Sequence, residues 1–200
     1  MYVSRCFVAI LSRAFRTPYD AAHAFGAVLQ SVVSCLIHGK MTILGLQRPQ
    51  MLCSALLNAG RPAALNATPR IWLWVAHSYR AIPIAGDPVN GWTVSTSSYY
   101  YAYTTSEAQK PEIIAYHWHP DGEGAFRWPH LHIGAAWTAE RPRFSSHWHV
   151  PSGRVPLEHV LRFAIRELGV VPIDREYESV FDGAMTQFDQ DQFRADRPPG

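Results

Sequence analysis

Apolar residues recur at helical spacing near both ends of the chain, and between them lies a long stretch that alternates. After Pro18, Asp20 is placed to cap a helix that buries Phe25, Val28, Leu29, Val32, Val33, Leu36 and Ile37, with Gly39 as its stop. A second short helix is predicted over Pro49–Asn58, with proline in its first turn and Gly60 just past its end. Residues 20–60 therefore read as a helical pair.

The period then changes. Ile71–Ala76 is rich in Ile, Val and Trp and predicts a buried strand. Turn signals at Gly86-Asp87-Pro88 and Asn90-Gly91 precede a β-branched, tyrosine-rich stretch, Trp92–Thr105. Strands over Glu112–His119 and Phe126–Ile133 follow, and a looser one over Ser145–Val150. From Pro156 the helical period returns, with Leu157, Val160, Leu161, Ile165 and Leu168 in one stripe and Gly169 as its end. The fold class expected is α+β: an N-terminal helical pair, an antiparallel sheet of four to five strands, and a C-terminal helix packed on it. The expected domain plan is a flexible leader over 1–19 and a single domain over 20–188, divided as 20–60 helical, 70–150 sheet and 155–169 helix. A polar, disordered tail is expected over 189–200.

Composition narrows this picture. Hydrophobic residues make up 48% of the 200, enough for a core, and no run reaches the roughly 18–20 apolar residues of a membrane span, so no membrane partner is expected. Cys6, Cys35 and Cys53 are odd in number and lack CxxC spacing, which predicts reduced thiols and a cytoplasmic protein. Residues 1–111 carry nine Lys/Arg against three Asp/Glu, and residues 174–200 carry three against seven. Such an uneven distribution still falls short of the dense basic patch of a dedicated DNA binder.

The candidate chemistry lies in three His-x-His pairs: His117-Trp118-His119, His130-Leu131-His132 and His147-Trp148-His149. Alternate residues of a strand share a face, so each extended pair aims both imidazoles one way, with Ile114, Tyr116, Trp118, Leu131 and Ile133 on the other. A hairpin pairing His119 with His130 and His117 with His132 puts four imidazoles on one face. Such a face supplies general acid and base, or holds a divalent transition metal, with zinc the first choice. His117, His119, His130 and His132 are the candidate catalytic and metal-binding residues. His147 and His149 are candidate additions, and Arg127 and Arg154 are the nearest cations for a phosphate. His117-x-His119 followed by Glu123 is similar to the first metal motif of cupins, but the second motif of that fold is missing. His23, His38, His77 and His159 sit on apolar segments and read as structural.

Tyr116 through Ile133, with Pro129-His130-Leu131-His132, followed by the helix Leu157–Leu168, resembles the TumE-type bacterial toxins of toxin–antitoxin pairs. The resemblance spans about residues 112–168. The motif here is one residue tighter between its histidines, and His-Trp-His stands where acidic residues are expected. The resemblance implies an RNA or nucleotide target and a cognate antitoxin as partner, and it assigns no catalytic residue. The function expected is thus a His-cluster enzyme, a toxin-like nuclease or other phosphodiester hydrolase. The alternative is a non-catalytic metal-binding or partner-binding domain.

Overall fold

The computed structural model describes residues 15–46, 52–84, 91–109, 111–121, 126–134 and 149–185. Helix α1 (Pro18–Ser34) starts ahead of the expected cap. Thr17 is the cap: its extended backbone lets the hydroxyl accept from the Asp20 amide at 3.0 Å, while it donates to the Asp20 carboxylate at 2.8 Å. Pro18 fits the first turn, where no amide is needed. The stripe from Ala21 to Val33 is buried against the sheet as its spacing predicts.

Among the described residues, eight antiparallel strands follow in one sheet. They are β1 (Met41–Leu44), β2 (Leu52–Leu57), β3 (Ala63–Ala64), β4 (Trp72–Pro83), β5 (Trp92–Thr104), β6 (Glu112–Trp118), β7 (His130–Ile133) and β8 (His149–Pro151). Their order is β1-β2-β4-β5-β6-β7-β8, with β3 paired to the start of β4. Apart from that insertion, strands adjacent in sequence are adjacent in space. The sheet is larger than the four to five strands expected.

Part of the difference comes from residues 41–57, where the described residues form strands and not the second helix expected there. The run Leu52–Leu57 is short and apolar, so its own pattern suits either structure. Pairing with β4, from Leu52 opposite Arg80 to Leu56 opposite Ala76, decides it and buries Cys53, Ala55 and Leu57. Gly60 belongs to the turn that follows, where Asn58, Ala59 and Gly60 all have positive φ and the Asn58 side chain accepts from the Lys40 amide. Of the strands predicted in the middle of the chain, the first is longer than expected, Phe126–Ile133 is a strand only over His130–Ile133, and residues 145–148 of the last lie outside the described residues.

One face of the sheet, here the inner one, is covered by α1 and by helix α2 (Leu157–Glu167). Buried tyrosine hydroxyls tie both helices down: Tyr79 donates to the Ala22 carbonyl and Tyr103 to the Val160 carbonyl. Gly169, at φ 66°, closes α2 as expected. A further helical stretch over 177–185 buries Phe181 and is held to α2 by Arg162, which donates to Glu178 and Asp182. Cys35 and Cys53 are both buried. No helix among the described residues is long and apolar enough to cross a membrane. Cys6, the leader up to residue 14 and the tail from residue 186 lie outside the described residues.

His77 is a core residue, as expected. Its ring bonds the Tyr101 hydroxyl through Nδ1 and the Thr96 hydroxyl through Nε2, and both hydroxyls can donate or accept, so the site accommodates the neutral imidazole that burial favours. Burial pushes its pKa down to about 3. The unfolded chain binds this proton near pH 6.5, so the contribution to stability is complete above that value and is lost progressively as pH falls toward 3. Urea denaturation of chelator-treated protein is expected to show a slope that His77→Gln lowers by roughly 1 kcal/mol per pH unit between pH 6 and 4. An unchanged slope in the variant would mean that His77 is not the proton acceptor.

Candidate functional site

Strands β6, β7 and β8 form one edge region of the sheet, and their alternation sorts the histidines from the core. Trp118 is buried on the inner face, and Ile114 and Tyr116 pack against the core beside it. The residues between them face outward, away from the helices. The register sets His117 opposite His130, Ala115 opposite His132, and His132 opposite His149. This register is two residues from the expected one, which paired His119 with His130. A shift of two is a full period of the strand, so every imidazole keeps its face. The apolar pattern cannot separate the two registers, since both match inner apolar residues; the observed one sets Tyr116 against Leu131 and Ile114 against Ile133. His119 consequently lies past the end of β6.

Among the described residues, five imidazoles converge on this face: His117, His119, His130, His132 and His149. His117 stacks on His132 with ring centres 4.4 Å apart and planes at 11°. His149 meets His132 edge-on at 4.4 Å and is itself covered by Phe126, stacked at 4.0 Å. His130 is fully buried, and its Nδ1 lies 2.9 Å from the Trp128 carbonyl. A carbonyl only accepts, so Nδ1 carries the proton and Nε2 presents its lone pair. The Nε2 atoms of His117, His130 and His132 are all buried and have no hydrogen-bond partner. Burial lowers the pKa of His130, helped by the neighbouring histidines and opposed by the Trp128 carbonyl. Burial, again with help from the other histidines, takes His132 down to about 4. Both rings are therefore neutral near pH 7, the state in which imidazole binds a metal.

A carboxylate joins them. Strict alternation from His117 assigns Glu112 to the inner face, but the register slips by one residue between Tyr103 and Thr104, so Glu112 stands opposite Thr104. Thr104 accepts from the Trp74 indole on the outer face, and the irregularity re-aims Glu112 the same way. Tyr100, directly opposite His117 on β5, donates to Glu112 Oε1 at 3.0 Å. The same oxygen lies 3.8 Å from His117 Nε2. Glu112 and Tyr100 escape a reading of the sequence that assumes period two throughout. The signal available was a carboxylate in an otherwise apolar strand.

Three groups place their ligand atoms within 4.8 Å of one another: His117, His119 and His130; His130, His132 and His149; and Glu112, His117 and His132. The arrangement can hold a metal ion.

No protein-family model, curated protein or solved structure matches the chain.

The chemistry of the site therefore rests on its own geometry. The four leading histidines of the sequence are together, and His149 joins them. His147 and Glu123 lie outside the described residues. Arg154 is not brought to the cluster: its guanidinium lies over the Trp118 ring at 4.1 Å, on the opposite face of the sheet. Its closeness in sequence to His149 misled because β8 ends at Pro151 and the chain then passes to the helix side, where the Val155 amide donates to Tyr99. Arg127 is exposed on the approach to β7. His23, His38 and His159 are exposed, away from the site.

Proposed function

We propose that this protein is a metal-dependent hydrolase, with one divalent transition-metal ion on the histidine face and a phosphodiester of RNA or a nucleotide as substrate. The observation that carries the proposal is the trio of buried, unpartnered Nε2 atoms. A buried polar atom left unsatisfied costs about 1–3 kcal/mol, and a cation in any one of the three ligand groups would engage two of these three imidazoles. Neutral imidazoles with a carboxylate suit zinc, and catalytic zinc sites are built both from three histidines and from two histidines with a glutamate, each leaving a position open. A bound ion would supply Lewis acidity and a water that ionises near neutral pH. His130, oriented by Trp128, offers a lone pair inside the cluster, and exposed Arg127 offers a cation for a phosphate. The resemblance to TumE-type toxins is the ground for RNA as the substrate and for an antitoxin as partner.

The test is hydrolysis of single-stranded RNA and of bis(4-nitrophenyl) phosphate by zinc-loaded and chelated protein. Activity is expected in the loaded protein alone, with a loss of about 100-fold in His130→Ala. Hydrolysis that survives chelation would overturn the proposal. A structural ion is the second reading, favoured by the burial of His130 and Glu112. Zinc released only on unfolding, from protein inactive on both substrates, would decide for it.

A further inference from the structure

The three ligand groups overlap: His117 belongs to two of them, and so do His130 and His132. Each of these residues offers one ligand atom, so only one group can be complete at a time and the three groups together have room for one three-ligand ion. Which group holds it follows from charge and rigidity.

Resting on the metal reading above, we infer that the resident position is Glu112, His117 and His132, with Tyr100 as the positioning residue that sets the carboxylate. This is the only group of the three with a negative ligand. An ion bound by three neutral imidazoles would keep its full double charge in a largely buried place, whereas Glu112 halves it. All three ligands sit on paired strands, two on β6 and one on β7. The other groups depend on His119, past the end of β6 and partly exposed, or on His149, on the three-residue edge strand β8.

Tyr100 holds this group from below. Its hydroxyl donates to Glu112 Oε1, and its ring meets the His117 ring edge-on, centres 4.8 Å apart. One side chain thus orients two of the three ligands, as outer partners of metal sites commonly do. The register slip in β6 completes the arrangement by turning Glu112 toward the imidazoles.

The probe is cobalt(II), titrated into the full chain after chelation and followed by visible absorption. One cobalt per chain is expected. Glu112→Gln is expected to weaken binding at least 100-fold. Tyr100→Phe, which keeps the ring on His117 and removes only the hydroxyl, should weaken it about 10-fold and shift the absorption bands. His149→Ala, which takes a ligand from a competing group only, should change affinity less than about 3-fold. If Glu112→Gln proves unfolded by circular dichroism, Tyr100→Phe carries the test. Wild-type affinity and spectrum in Tyr100→Phe, with binding lost in His149→Ala, would overturn the assignment and leave the metal reading standing with a three-histidine site. Two cobalt ions per chain would also overturn it. No cobalt bound by the wild-type chain would sink the metal reading, and this assignment with it.

Discussion

Gly134→Ala is expected to destabilise the protein by about 4 kcal/mol or more and to abolish tight metal binding. Gly134 directly follows β7, and its amide donates to the Ile113 carbonyl at 2.9 Å. A Cβ added there would fall 1.7 Å from the Glu112 carbonyl oxygen and 2.2 Å from its carbon. Both are backbone atoms of a strand paired on its other side to β5, so neither can swing aside as a side chain would. The methyl can be accommodated only by lifting the end of β7. That breaks the Gly134–Ile113 bond and the Ile114–Ile133 pair, and it carries His132 away from Glu112. The glycine is required by space. Urea denaturation together with cobalt titration reads both effects. A loss below about 1 kcal/mol with unchanged cobalt affinity would show that this close approach does not hold the site together.

Zinc is expected to raise the melting temperature by about 10 °C, and His117→Ala/His132→Ala is expected to remove the whole of that rise. An ion that binds the folded chain alone, at a free concentration about 1,000 times its Kd, stabilises by about 4 kcal/mol. In a domain of this size each kcal/mol moves the melting temperature by about 2–4 °C. The two histidines are chosen because each belongs to two ligand groups, so every group loses at least one member. Without zinc the double variant should melt close to the wild type, since it also removes two buried, unpartnered nitrogens. Calorimetry with and without zinc is the measurement. An equal rise in wild type and double variant would mean that the ion binds elsewhere.

The candidate site was largely legible, and the reason is local. The two first His-x-His pairs declare their shared face through strand alternation, and a register error of a full period leaves that face intact. Helix α2 was equally plain, because its apolar stripe and closing glycine are local signals. The failures came where the deciding contact is remote in sequence. Leu52–Leu57 carries a pattern that a helix or a strand could use, and its pairing with β1 on one side and with β4, some twenty residues on, on the other makes it a strand. Arg154 looked near the histidines along the chain but lies across the sheet from them.

Periodicity was enough to specify an antiparallel sheet with an imidazole face backed by apolar residues, flanked by an early and a late helix. Each segment holds that information within itself. The size of the sheet, the register between β6 and β7, and the inclusion of Glu112 and Tyr100 were settled only once the strands were assembled. Those properties depend on how one strand slips against another, and a slip of one residue moves a carboxylate from one face to the other.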